Sequence, residues 1–507
     1  MREIKTTMSL CPECQKILSA KIFEDNGKVW IAKKCPEHGE VEELYWSDYE
    51  LYKWASRFNH DGKGIKNPNV DKEKVECPFD CGLCKKHISH TGLANIVLTN
   101  RCNLKCWYCF FYAREGDNIY EPTLEQVRQM LRNLKNEKPV GANAVQYTGG
   151  EPTLRDDLID IIRLTREEGF DHIQLNTNGI KLAKDPEYTE KIRQAGVNTV
   201  YMSFDGVTPK TNPKNHYHAL KAIESCRKAN MGVVLVPTVI KGKNDHELWD
   251  IVKFGLDNID VVRGINFQPV SLVGRMPRKE RDKFRITIPD VIKKLKEQSN
   301  GMICEGDFLT IPCIIPTTHF VEALTKRAQY ELSNHFACGM ATYVFKEGDR
   351  IIPITRFVDV EGLMEYLEEK AEELRSGKNK YWVGLKVLYE MRSFVDEKKQ
   401  PRYFNLAKIL YNALMKHNYE TIGAFHKHAM LLGMMHFMDL YNYDLERVKR
   451  CDIHYATPDG RIIPFCAFNV LPEIYRDRIQ SEYSVPAREW ERYMVTEHHL
   501  RKVGEEP

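Results

Sequence analysis

NRCNLKCWYC (100–109) carries three cysteines, Cys102, Cys106 and Cys109, with three and then two residues between them. That spacing lets one loop wrap three thiolates around three irons of a four-iron cluster and leaves the fourth iron without a protein ligand. An open iron suits a bidentate small molecule such as an aminocarboxylate, whereas a structural zinc site closes with a fourth Cys or His. CPFDCGLC (77–84) repeats the spacing in Cys77, Cys81 and Cys84 and reads as an auxiliary iron–sulfur site. Its fourth ligand is open between Cys304, His87 and His90. CPEC (11–14) and CPEH (35–38) place Cys11, Cys14, Cys35 and His38 in CxxC and CxxH pairs, the pattern of a rubredoxin or zinc ribbon. Iron and zinc both accept that tetrahedral donor set. Cys313, Cys338, Cys451 and Cys466 each stand beside a proline, a glycine or an expected turn and read together as the ligands of a third cluster. Cys226 falls inside the amphipathic stretch HYHALKAIESCRKAN and reads as core.

The chain that must position these groups has 507 residues and 15 cysteines, with a formal charge of only +3. So small a charge gives no global field toward nucleic acid or an anionic membrane, and KVWIAKK is too small a basic patch to imply a nucleic-acid partner. The N-terminus lacks the layout of a signal peptide, and no apolar run approaches the roughly 20 residues needed to span a bilayer. Cytoplasmic residence is the expectation, and there cysteines stay reduced and bind metal rather than pair.

Four regions follow from the pattern. Residues 1–58 form a small metal module, and 59–92 a linker with the auxiliary-cluster segment. Residues 93–300 alternate apolar, β-branched runs (93–100, 144–150, 172–179, 197–206, 232–240, 261–270) with amphipathic stretches. One such stretch is TLEQVRQMLRNLKNE, whose Thr123 and Gln126 have capping-box spacing. Six strands with intervening helices predict an α/β architecture, a partial (β/α)6 TIM-like barrel with a parallel sheet. Residues 301–507 are expected to form a helical, cluster-binding domain, strongly helical from 361 to 450. A hairpin is expected at HYATPDGRIIPF (454–465), turning at Asp459-Gly460.

With the cysteine loop placed after the first strand, the chain resembles the radical S-adenosylmethionine (radical SAM) superfamily. Tyr108 precedes the last cysteine as is common there. Strand two ends in Gly149, Gly150, Glu151 and Pro152, which resembles the motif contacting the amino group of S-adenosylmethionine. By the same resemblance Asn176 and Asn178 end strand three, Ser203 and Asp205 end strand four, and these meet its ribose and carboxylate. GINFQP (264–269) resembles the segment packing near adenine. The resemblance spans roughly residues 93–270. It implies three [4Fe–4S] clusters, one of them binding S-adenosylmethionine, beside one mononuclear iron or zinc.

The whole layout, CPEC/CPEHG, CPFDCGLC, the core and PDGRIIPFC, resembles the archaeal tetraether lipid synthases. That implies carbon–carbon coupling of the unactivated alkyl ends of an archaeal diether phospholipid, a low-potential electron donor and peripheral membrane contact. Met430, Met434, Met435 and Met438 recur at about helical spacing, which reads first as a plain helical core and otherwise as the wall of an alkyl tunnel. GRMPRKERDKFR (274–285), with six basic residues against two acidic, would steer phosphate head groups. The same layout also resembles radical pterin methylases, the alternative reading. A non-enzymatic iron–sulfur electron carrier is the third, and the GGEP motif argues against it, since a carrier needs no cofactor pocket.

Overall fold

The computed structural model describes residues 1–70, 73–111, 118–402, 404 and 428–492. The N-terminal module is a four-stranded antiparallel meander, Arg2–Leu10, Ile17–Asp25, Lys28–Cys35 and Gly39–Trp46. The turns after its first and third strands lie at one end and carry the two ligand pairs. Both need left-handed backbone: Gln15 has φ 59° and Gly39 φ 77°.

The main sheet holds eight parallel strands side by side. In spatial order they are Ile453–Ala456, Leu93–Thr99, Ala144–Gly149, His172–Thr177, Thr199–Ser203, Gly232–Val236, Val262–Pro269 and Ala429–Met435. The six middle strands are those expected. The outer two come from the C-terminal region, and antiparallel strands beyond them end the sheet at both sides. Helices cover the outer face through Ile96, Leu98, Val145, Ile173, Val200 and Leu235. Thr123 caps Leu124–Lys135 in a full capping box. The 454–465 hairpin forms, with Tyr455 opposite Ile463 and Gly460 at φ 86°.

Helix from 361 to 450 is corrected by this fold. Val360–Arg375 and Lys380–Glu390 are helical, whereas AMLLGMM (429–435) is a strand. A short apolar run cannot be told from helix by periodicity alone, and here a neighbouring sheet edge decides. A Cβ on Gly264 would sit 3.0 Å from the Leu431 carbonyl, so glycine lets the two strands approach. Met430 and Met434 are buried toward the covering helices, and only Met435 of that strand faces the barrel interior. Met430 and Met434 are thus core, and no methionine-lined tunnel is seen among the described residues. The part of that stretch at 405–427 lies outside the described residues.

The metal module is fastened to the C-terminal region by buried polar contacts. Lys33 donates to Ser9 Oγ (2.9 Å) and the Leu440 carbonyl (2.6 Å), and Tyr45 donates to Asp444 (2.8 Å). Burial pulls the Lys33 ammonium down to about 8. Within the basic stretch 274–285, Arg285 pairs with Asp439 and Glu43 and Arg281 with Glu43, while Lys283 pairs with Glu280 at the surface.

Candidate functional site

Strand alternation builds one cavity. While the residues named above face the helices, their neighbours Asn95, Gln146, Thr148, Asn176, Ser203 and Gln268 line the barrel interior. The loop after strand one closes it, presenting Cys102, Cys106 and Cys109 at the mouth, all partly exposed. Burial pushes the Cys102 thiol up to about 11, with Glu151 and the other two thiols adding to it. Cys106 is also raised by burial, against the opposing pull of Lys214. Crowded thiols, with the anions of Cys102 and Cys106 disfavoured, make a donor set that a metal cation relieves. The loop fits a cluster held by three cysteines.

The glycine motif does something the sequence did not anticipate. A Cβ on Gly149 would collide with the Thr99 carbonyl, and one on Gly150 with the Arg101 carbonyl. The glycines thus admit the root of the cysteine loop, which is then tied down by Gly150 N–H to Thr99 O and Glu151 N–H to Arg101 O, both 2.8 Å. Glu151 is buried, its carboxylate accepting from Thr153 N–H (3.1 Å), Thr153 Oγ1 (2.7 Å), Thr177 Oγ1 (2.7 Å) and Asn178 N–H (2.8 Å). Pro152 opens the short 3-10 turn that Glu151 caps. Asn178 in turn donates to Asn103 on the cysteine loop (2.8 Å), and Asn176 reaches toward Thr148 (3.5 Å). Glu151 and Asn178 therefore work as braces joining strands two and three to the loop.

Asp205 is also engaged by the protein itself. It accepts from the Tyr108 hydroxyl, pairs with Lys214 Nζ at 2.7 Å and accepts from Thr238 N–H at 2.9 Å. Burial first, then Asp205, keeps the Tyr108 phenol protonated. Lys214 was missed from sequence because NPKNHYH shows no motif; only folding turns it into the cavity. The carboxamides Asn95, Gln146 and Gln268 were missed too, although their alternation with apolar residues was a readable signal. An aromatic wall faces them: Phe437 and Phe465 stack at 4.0 Å between ring centroids, with Tyr455 at 5.4 Å from Phe465.

At the N-terminal module Cys11, Cys14, Cys35 and His38 offer ligand atoms within 4.8 Å of one another. His38 Nδ1 lies 3.5 Å from Cys35 Sγ and 3.7 Å from Cys11 Sγ, and the His38 contact leads in lowering the Cys35 thiol to about 6. Cys14→Ser is expected to remove one metal equivalent per chain and the amide protection of residues 1–47, because such metals supply about 10 kcal/mol of folding free energy. Metal analysis and hydrogen exchange check it; iron lost from the barrel loop as well would show that the two modules do not fold separately.

Cys77, Cys81 and Cys84 line one cleft, and contact with Cys81 is the leading cause that lowers the Cys77 thiol. Each of the expected fourth ligands has another partner. His87 borders the cleft, but its Nε2 is 2.7 Å from the Cys451 carbonyl and 3.1 Å from His454. His90 accepts from Glu331 N–H (3.0 Å), and Cys304 accepts from Arg356 (3.0 Å) elsewhere. Cys338 and Cys466 lie by the buried Arg447, whose Nε donates to Cys338 Sγ at 3.2 Å, and Cys451 lies near both thiols. Cys313 does not join them. It packs as a small apolar residue in the core that holds Phe320, Phe345 and Phe357, its thiol pushed up to about 12 by burial, so the expected four cysteines are not brought together. Cys226 is fully buried in its helix, as expected.

Comparison with known proteins adds the following. Residues 96–255 match the radical SAM superfamily, and residues 3–47 match the HMPTM N-terminal zinc ribbon domain. The 7,8-dihydro-6-hydroxymethylpterin dimethyltransferase of Methanocaldococcus jannaschii is 46% identical over 515 residues, covering 99% of this chain and 98% of that protein. The mitochondrial GTP 3′,8-cyclase of Arabidopsis thaliana is 34% identical over 208 residues, 39% of this chain and 52% of that one. Among solved structures, methylornithine synthase aligns over 42% of this chain and 64% of its own at 16% identity and a TM-score of 0.32, a likeness too low to carry an argument. The end-to-end match to a pterin dimethyltransferase overturns three expectations: alkyl coupling, the diether phospholipid substrate and the lipid-synthase activity. Among the described residues no helix is long and apolar enough to cross a membrane.

Proposed function

The chain belongs to the radical SAM family of 7,8-dihydro-6-hydroxymethylpterin dimethyltransferases, with an N-terminal zinc ribbon, and we propose that it methylates a reduced 6-hydroxymethylpterin. The observation that carries this is the match at 46% identity along both whole chains. The cavity's lining supports it. Carboxamides opposite stacked aromatic rings suit a flat, polar heterocycle, because each amide offers both a donor and an acceptor to a ring edge. Asn95 Nδ2 is buried at the cavity wall with no protein partner, a donor in want of an acceptor.

When bound, a [4Fe–4S] cluster and S-adenosylmethionine supply one-electron cleavage of the sulfonium to methionine and a 5′-deoxyadenosyl radical. In this reading Cys102, Cys106 and Cys109 hold the cluster, and the backbone at Gly149 and Gly150 seats their loop. Glu151 and Asn178 brace it against strand three. Asp205 fixes the Tyr108 ring and the Lys214 ammonium over the opening, and Ser203, Asn176 and the other amides orient polar ligand edges. The aromatic wall of Phe437, Phe465 and Tyr455 excludes water from the reacting face.

The test is anaerobic incubation of the iron–sulfur-reconstituted protein with S-adenosylmethionine, a low-potential reductant and 7,8-dihydro-6-hydroxymethylpterin. Mass spectrometry is expected to find the pterin heavier by one or two CH2 units. Formation of 5′-deoxyadenosine over an unchanged pterin would remove the substrate assignment and leave the superfamily assignment standing.

A further inference from the structure

Away from the cavity, the linker meets the C-terminal half at a cluster of histidines and carboxylates. His60 comes from the linker, His319 from the helix Ile315–Thr325, and Glu331 from the loop that follows it. One nitrogen of each ring and one Glu331 oxygen lie within 4.8 Å of one another. His319 Nε2 is 3.3 Å from Glu331 Oε1, while its Nδ1 is 2.7 Å from Glu368 Oε2 on the helix Val360–Arg375. The His60 and His319 rings meet edge to face with centroids 5.2 Å apart.

Two features distinguish this cluster from an ordinary ion-pair network. The half-buried His60 ring has no hydrogen-bond partner at either nitrogen among the described residues, and its backbone carbonyl accepts from Arg450. The charges also fall short. Glu322, Glu331 and Glu368 face two cations, Lys63 between Glu322 and Glu331 (3.2 Å) and Arg375 beside Glu368 (3.3 Å). A proton on His319 would close that gap but would leave His60 unused. A divalent cation more than offsets that single charge, and it takes up the His60 lone pair as well.

We propose that His60, His319 and Glu331 form a binding site for a divalent ion of the zinc class, with Glu368 orienting His319. Two imidazoles and a carboxylate are a borderline donor set suited to zinc and its neighbours, with the remaining position left to water. Glu368 accepting Nδ1–H is the carboxylate–histidine arrangement that fixes the tautomer leaving Nε2 free to ligate. Lys63 keeps Glu322 and the Gln329 carbonyl (2.9 Å) as partners when the ion is bound. The ion would pin the linker that runs from the zinc ribbon to the Cys77–Cys84 segment. None of this rests on the pterin reading.

The test uses the full-length, cluster-reconstituted protein, exposed to zinc chloride, desalted and analysed for zinc and iron together. Wild type is expected to hold one zinc per chain more than His60→Ala and His319→Ala, with iron equal in all three. Glu368→Gln is expected to keep the site but to need about ten-fold more free zinc to fill it. His60→Ala decides, since its ring makes no hydrogen bond whose loss could unfold the protein. Zinc in that variant equal to wild type overturns the proposal.

Discussion

Cys106→Ala is expected to abolish formation of 5′-deoxyadenosine from S-adenosylmethionine and to remove one cluster's worth of iron. The middle cysteine of the loop sits at the cavity mouth between Cys102 and Cys109, and two ligands remaining on three irons cannot retain the cluster. Loss of a metal's outer-sphere partner alone costs about 10–100-fold, so loss of a ligand should exceed about 100-fold. Cys313→Ala is the informative control. Its thiol lies in the core that holds Phe320, Phe345 and Phe357, so the change should leave iron and cleavage as in wild type. It should cost only about 1 kcal/mol of stability for the small cavity. Chromatography of the cleavage product beside iron analysis separates the two. Equal cleavage by wild type and Cys106→Ala would take the loop out of the cofactor chemistry, and iron lost from Cys313→Ala would restore it as a ligand.

The second large effect is on folding. Asp439 holds the fully buried Arg285 in a two-pronged pair, Oδ2 to Nη1 at 2.6 Å and Oδ1 to Nη2 at 3.1 Å, while Glu43 of the metal module takes its Nε at 3.2 Å. Asp439 also accepts from Leu272 N–H and Tyr441 N–H, each at 3.0 Å. One guanidinium thus joins the zinc ribbon, the segment after strand six and the C-terminal region. Asp439→Asn leaves that guanidinium undercompensated in a dry interior and is expected to cost about 3–5 kcal/mol, read as a lower denaturation midpoint at neutral pH.

The pH dependence follows from the same pair. Burial opposes the Asp439 charge, but Arg285 and the two backbone donors outweigh it and hold the carboxyl down at about 2, against about 3.9 in an unfolded chain. A depressed carboxyl contributes its stability fully above the unfolded value and loses it as pH falls toward the folded one. The midpoint gap between wild type and Asp439→Asn should therefore stay constant from pH 5 to 8. A gap that drifts within that range would mean another group carries the effect.

What could be read from the sequence alone was local. The candidate ligands of the zinc ribbon fall in two close pairs and those of the radical SAM loop in one short segment, so spacing pointed to them, as it did to the Thr123 capping box and the Asp459-Gly460 turn. The six middle strands were legible because each alternates between an apolar helix-facing row and a second face. The glycine pair 149–150 was legible as a motif, but what it makes room for, the chain's own carbonyls at Thr99 and Arg101, spacing cannot show.

Everything that depended on which distant segments meet was settled only by packing. Cys338, Cys451 and Cys466 come near one another while Cys313 turns into another core, though all four stand in similar local contexts. Residues 429–435 became a strand because an open sheet edge and Gly264 were waiting for them. Lys214 entered the site through its pairing with Asp205, and the His60–His319–Glu331 cluster was assembled from three separate segments. A short stretch encodes spacing and periodicity, and its free energy of packing is shared with partners that it cannot name.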